Sequence, residues 1–225
     1  MAELSPRTAV FDIIGTSFSL DKPRRALARL GAPEQALELW FAQALRDSFA
    51  LSHAGGYAPL RDVLAAELPR SLSQLGFEPE EPELKEVLGT FAQLDPRPDL
   101  AEAVQLLHDR GWRLLALTMG AAESTRALLE RAGVADRFTD CLSVDSISVT
   151  KPNAAAYGLA LKESDGETWM VAAHAWDIAG AARAGLRTAF ITSVEGPYLK
   201  VYPEPDLIAA SLFEAAQAMV GAAQP

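Results

Sequence analysis

The stretch Thr8-Ala9-Val10-Phe11-Asp12-Ile13-Ile14-Gly15-Thr16 decides how the chain is read. Thr8 to Asp12 is a short apolar run that breaks at Gly15-Thr16, the pattern of a buried strand. Asp12 therefore stands at the carboxyl end of a strand. In open parallel sheets ligands bind outside those ends, at the point where the strand order reverses.

Outward from this stretch, the next 80 or so residues change character. From Asp21 to about Leu94 the pattern is helical with no clear strand. Over 34–51, Leu37, Trp40, Phe41, Ala44, Leu45 and Phe49 recur mostly at three- and four-residue steps, giving one apolar stripe. Gly55-Gly56 ends that helix, and Pro59 opens another running to about Leu68. The acidic run 78–86 reads as a solvated helix start, where carboxylates suit the positive end of the helix dipole. After Asp95-Pro96-Arg97-Pro98 strands and helices alternate. Helices are expected over 99–110, 122–132, 153–162, on from Asp177 to Gly185, and over 206–220. Strands are expected over 113–118, 141–145, 168–173 and 187–191. Such alternation predicts an α/β fold, a doubly wound parallel sheet covered on both faces. The helical segment 17–95 is then an insertion, a small cap, between core segments 1–16 and 96–225.

Composition excludes several classes. No apolar run approaches the roughly 18 residues of a membrane span, and mean hydropathy is near zero, at +0.07. Glu3, Arg7 and Asp12 interrupt the first apolar stretch, unlike a signal peptide. One cysteine, Cys141, rules out an intramolecular disulfide or a thiolate metal cluster, so a cytoplasmic location is the simplest reading. Thirty acidic against twenty basic side chains give a net charge of −10, which repels nucleic acid and leaves a small molecule as the expected partner. His53, His108 and His174 lack metal-ligand spacing.

Four polar residues stand at or just beyond strand ends: Asp12, Thr118, Lys151 and Asp177. Each alone has a plain structural explanation as a turn cap, a helix cap or a surface lysine. All four in order point to a site. A carboxylate can attack an electrophilic carbon or phosphorus and form an ester that water later cleaves. A nearby lysine favours its ionised form. Thr16 and Thr118 supply hydroxyls, Gly15 lets the backbone turn closely, and Asp177 can orient Lys151 or the hydrolytic water.

Phe11-Asp12-Ile13-Ile14-Gly15-Thr16, Leu117-Thr118-Met119-Gly120, Lys151-Pro152 and Ala175-Trp176-Asp177 resemble the four motifs of the haloacid dehalogenase superfamily. Leu142-Ser143-Val144-Asp145, and Lys151-Pro152 followed by Tyr157, are similar to the type II (S)-2-haloacid dehalogenases. The resemblance covers nearly the whole chain. It implies metal-independent hydrolysis of a small 2-substituted acid, with Asp12 as nucleophile and Thr16, Thr118, Lys151, Tyr157 and Asp177 around it. It also allows a homodimer, since related dehalogenases often pair.

The pocket departs from that pattern. An arginine that would follow the cap tryptophan, Trp40, and receive the halide is Phe41 here. Ile14 stands in place of a tyrosine, Met119 of an asparagine, and Ala172 and His174 of a serine and an asparagine. Arg46 lies roughly 140° from Phe41 around an ideal helix, so it reads as a surface residue. The expected pocket wall is thus Ile14, Trp40, Phe41, Met119, His174 and Trp176. A magnesium phosphatase is disfavoured, because Ile14 replaces its second aspartate and Asp12 with Asp177 is a thin ligand set for a hard dication. A fold-retaining binding protein that has lost the reaction is the alternative reading. His174 is balanced between a base near the site and a side chain that merely hydrogen-bonds locally.

Overall fold

The computed structural model describes residues 6–222, so Glu3 and the outer ends of the expected core segments lie outside the described residues. The quoted stretch forms β1 (Arg7–Asp12), the strand around which the sheet is built. It is flanked on one side by β4 (Arg113–Thr118) and β5 (Asp140–Ser143). On the other side lie β6 (Glu167–Ala172), β7 (Arg187–Ile191) and β8 (Leu207–Ala209). The order is β5-β4-β1-β6-β7-β8, with every adjacent pair parallel. Because the chain first builds outward through β4 and β5 and then restarts at β6, the order reverses beside β1.

The two-residue period of β1 sorts its side chains onto two faces. Ala9 and Phe11 enter one apolar cluster with α5 (Leu100–Asp109), α6 (Ala122–Arg131) and α10 (Leu212–Ala222). Val10 points into the other, against α7 (Ala154–Lys162) and α8 (Ala175–Arg183). Each such buried side chain contributes roughly 1.5–3 kcal/mol relative to exposure.

Between β1 and β4 lies the cap: α1 (Asp21–Arg29), α2 (Ala36–His53), α3 (Leu60–Gln74) and α4 (Glu81–Gly89). Leu37, Trp40, Ala44, Leu64, Leu68 and Leu72 form its own apolar cluster, which reaches the core at Met119, Val144 and Ala156. Chain entry and exit are tied together, since β2 (Phe18–Ser19) pairs antiparallel with β3 (Asp95–Pro96). The acidic run does start a helix, with Glu80 and Glu83 forming a reciprocal capping box on α4.

Several expected boundaries moved, three of them for a visible reason. The helix opened by Pro59 continues through Pro69 to Gln74. Pro69 is on the exposed face, where water can satisfy the carbonyl it leaves unpaired, while Leu68 and Leu72 keep the helix packed. β5 ends at Ser143, because the Ser143 hydroxyl accepts the Asp145 amide and starts a tight turn. The last helix begins at Leu212, not near Asp206. There the Asp206 carboxylate accepts from the Thr188 amide at 2.9 Å and hydroxyl at 3.1 Å, and so anchors the extra edge strand β8. Among the described residues, no helix is long and apolar enough to cross a membrane.

Candidate active site

β1 delivers the Asp12 carboxylate to the carboxyl edge of the sheet, almost fully buried at 4% exposure. Its two oxygens are held differently. The Thr16 hydroxyl donates to Oδ2 at 2.6 Å, and itself accepts the Ala173 amide at 2.9 Å. Lys151 Nζ donates to Oδ1 at 3.0 Å. The turn that brings Thr16 back depends on Gly15, whose φ of +85° suits glycine. It is tied by Gly15 N–H to Phe18 O and by the Ser17 hydroxyl to Asp12 O, at 2.9 and 2.6 Å.

Lys151 precedes α7 and is completely buried. Its ammonium bridges Asp12 and Asp177, with Asp177 Oδ2 at 2.9 Å. Burial presses this ammonium toward neutrality, but the charges of Asp12 and Asp177 outweigh it and hold its pKa above the usual lysine value. Asp177, in the first turn of α8, also accepts the Tyr157 phenol at 2.6 Å on Oδ1. Burial first, then the Asp177 charge, push that phenol's pKa well up, so Tyr157 remains a donor. Burial and the Asp12 charge also raise the Asp177 pKa, against the pull of Lys151 and Tyr157.

The structure thus brings Asp12, Thr16, Lys151, Tyr157 and Asp177 into one hydrogen-bonded cluster. Thr118 stands apart from it: at the end of β4, its hydroxyl accepts the Gly120 amide of its own loop at 2.9 Å. The expected pocket residues divide further. Trp40 is wholly buried in the cap, its indole N–H donating to Leu64 O at 2.9 Å and so tying α2 to α3. Met119 is buried among cap side chains. Arg46 is on the surface, paired with Asp47 and Glu67. His53 and His108 are exposed.

Two cavities flank the Asp12 loop, and Asp12 lines neither. One of about 360 Å³ is mostly apolar, with Ile14, Leu60, Leu64, Phe91, Gly120 and Asp145 among its walls. The Tyr57 hydroxyl donates to Asp145 across the cap–core boundary there. The other, of about 300 Å³, touches Gly15, Leu20, Phe41, Arg97, His174 and Glu195.

His174 caps the start of α8 beside that second cavity, stacked on Trp176 with ring centroids 5.4 Å apart. Its Nδ1 lies 2.9 Å from Glu195 Oε1, and its Nε2 lies 3.3 Å from Ile14 O. Glu195, in the short helix α9 (Thr192–Glu195), also accepts the Ala175 amide at 2.9 Å. Sequence reasoning missed Glu195. The signal was present, because Glu195 follows the end of β7 just as the other site residues follow theirs. Burial lowers the His174 pKa, but the Glu195 hydrogen bond and the charges of Asp12, Glu195 and Asp177 leave it raised. Glu195 moves the other way: despite burial, His174 holds its carboxyl below the usual range.

A carboxylate held by a hydroxyl and an ammonium at a strand end can act as a nucleophile toward carbon or phosphorus. Known proteins narrow that chemistry. The (S)-2-haloacid dehalogenase of Xanthobacter autotrophicus is 30% identical over 188 residues, 81% of this chain and 74% of its own. (S)-2-haloacid dehalogenase 1 of Pseudomonas sp. strain CBS-3 is 28% identical, over 85% of this chain and 86% of that protein. The solved L-2-haloacid dehalogenase of Xanthobacter autotrophicus superposes with a TM-score of 0.84 at 25% identity, covering 96% of this chain and 99% of the other. A family profile described as haloacid dehalogenase-like hydrolase matches residues 6–185, a span that contains Asp12, Thr16, Lys151, Tyr157 and Asp177. The chain belongs to the haloacid dehalogenase-like hydrolases and is an enzyme of that family.

Proposed function

We propose that the protein hydrolyses a small 2-substituted acid, a 2-haloacid or a bulkier relative, through an ester on Asp12 and without a metal. The observation that carries this reading is the buried Lys151 ammonium bridging Asp12 and Asp177. In the first step an Asp12 oxygen attacks C2 of the acid. The new C–O bond forms as the C2–X bond breaks, and X departs with the electron pair. In the second step water attacks the Asp12 carboxyl carbon and the acyl–oxygen bond breaks; one water proton ends on the departing oxygen and the other in solvent, so that a 2-hydroxy acid leaves and Asp12 returns as a carboxylate.

Each side chain has a part in this scheme. Lys151 and Thr16 keep Asp12 ionised and aimed, Tyr157 and Lys151 fix Asp177, and Asp177 orients the water. Thr118 holds its loop so that the neighbouring amides meet the substrate. The names of the relatives support the substrate class, and the apolar cavity beyond Ile14 has room for a larger substituent on C2. We divide the chain as the pattern of clusters suggests, into a cap of 17–95 and a core up to 16 and from 96. A buried single thiol suits a reducing compartment, and we assign the protein to the cytoplasm.

A related fold has been solved with magnesium, in the putative hydrolase YfnB from Bacillus subtilis. The donor set here does not suit that ion. The Lys151 ammonium sits against an oxygen of each carboxylate at 3.0 and 2.9 Å, where a dication would need them. Chelator should leave turnover unchanged.

Single turnover in 18O-water, followed by mass spectrometry of the peptide containing Asp12, tests the scheme. Label is expected in Asp12. Turnover without label there would sink the covalent reading.

A further inference from the structure

The peptide unit between Ile14 and Gly15, in the turn that follows the nucleophile, is held from both sides. Its N–H donates to Phe18 O at 2.9 Å, and its carbonyl faces His174 Nε2 at 3.3 Å. The other ring nitrogen, Nδ1, lies 2.9 Å from Glu195 Oε1, while Glu195 Oε2 accepts the Ala175 amide at 2.9 Å. A carbonyl and a carboxylate can only accept. A neutral imidazole, with one N–H, satisfies one of them and turns a lone pair on the other; an imidazolium donates to both. The ring has no room to turn away. It is buried, stacks on Trp176 and abuts Gly15 so closely that a Cβ there would lie 2.7 Å from Nε2.

We propose that His174 and Glu195 are positioning residues for the reaction: Glu195 fixes the imidazolium, and the imidazolium holds the Ile14 carbonyl and with it the turn that carries Thr16 onto Asp12. The route is short. The held peptide leads through Gly15 to Thr16, whose hydroxyl donates to Asp12 Oδ2 at 2.6 Å. The His174 carbonyl also accepts the Asp177 amide at 3.0 Å, so the same residue touches the segments that carry both carboxylates. With both N–H groups donated, the ring has no lone pair with which to activate water, and His174 is not the base. The surrounding charges decide how long it stays protonated. Against burial, which favours the neutral ring, the Glu195 hydrogen bond and the charges of Asp12, Glu195 and Asp177 hold the proton on it. Asp177 on α8 is itself paired with Lys151, before α7. Arg97, after β3, donates to Gly15 O at 3.1 Å and opposes the ring's charge. From α1 and α2, Arg24 and Glu38 pair with each other, and Asp21 stands at the rim of the adjoining cavity. A ring that loses its proton keeps the remaining N–H on the carboxylate, the stronger acceptor, and gives up Ile14. The turn therefore slackens as pH rises through the His174 pKa. The hold on the turn is independent of the ester reading above; its effect on turnover rests on that reading.

Nitrogen NMR of the histidine rings and amide exchange, both on the intact protein without substrate from about pH 6 to about pH 10, test the hold. The protection factor of the Gly15 amide is expected to fall about tenfold in step with deprotonation of the His174 ring, the scale of one charge-assisted hydrogen bond. In Glu195→Gln, which keeps an acceptor for the Ala175 amide, ring and turn midpoints should move together to lower pH. In His174→Gln protection should be low and flat with pH. A wild-type ring already neutral at the acid end, or protection that ignores the ring's titration, overturns the proposal. So does an unmoved midpoint in Glu195→Gln, which decides alone should His174→Gln not fold. With 2-chloropropionate as substrate, kcat should fall over the same pH window, and fall in Glu195→Gln with KM nearly unchanged. A kcat indifferent to both overturns the positioning role. A turn that titrates as described in a protein that never turns over 2-chloropropionate supports the hold and counts only against the haloacid reading.

Discussion

At the scale of single residues, Lys151 has the most at stake. Removing its charge leaves two carboxylates buried side by side, a change that typically costs 3–5 kcal/mol, roughly. Lys151→Met is therefore expected to lower the urea-unfolding free energy by about that amount and turnover by at least about a hundredfold. His174 gives a pH dependence of opposite character. Its folded pKa lies above the ordinary imidazole value of 6.5, so the folded state holds the proton more tightly. The stabilisation is complete below about pH 6.5 and is lost as pH rises through the folded pKa. Urea midpoints should fall over that window in wild type and stay flatter in His174→Gln. Asp12, Lys151 and Asp177 were legible in the sequence because each lies at a strand end or beside the start of the next helix, and Thr16 because it closes the turn after β1; Tyr157, inside α7, was legible only through the family resemblance. His174 was half legible: its place was visible, but its protonation depends on Glu195, which approaches from another strand. Trp40 misled because its neighbour Phe41 faces the cavity, while its own indole turns into the cap.

At the scale of elements, the site is held by how closely α7 and α8 pack. A Cβ on Gly180 would lie 2.5 Å from the Tyr157 hydroxyl and 2.6 and 2.8 Å from Pro152 Cβ and O. Neither neighbour can yield without moving Tyr157 off Asp177 or shifting the segment that carries Lys151. Gly180→Ala is expected to cost about 1–3 kcal/mol, as overpacking does, and to reduce kcat more than KM. Steady-state kinetics beside thermal unfolding would check both. The alternation that revealed these elements is local, which is why Arg113–Thr118 and Arg187–Ile191 were read to the residue. Strand β8 was not, because Leu207–Ala209 is three residues long and gains its ladder only from β7. The stem pair β2–β3 was equally hidden, since its two partners are separated by the whole cap.

At the scale of the whole molecule, the sheet order determines which parts can form early. The cap helices draw their apolar cluster mostly from one continuous segment, while Thr8 pairs with Arg113 and Arg7 with Glu167. Loop closure over such separations is slow to repay its entropy. Pulse-labelled hydrogen exchange during refolding is expected to protect amides of α2 and α3 before those of β1. Equal protection times would contradict this. The strand that carries the nucleophile is then synthesised before both of its sheet neighbours and is the last to find them. Val10 and Phe11 must wait, exposed, until the chain has passed Glu167, and in that interval they form a hydrophobic segment that chaperones or aggregation can capture. Placing catalysis on the central strand of a reversed sheet means that a competent active site reports completed assembly, and no half-made chain can act on substrate.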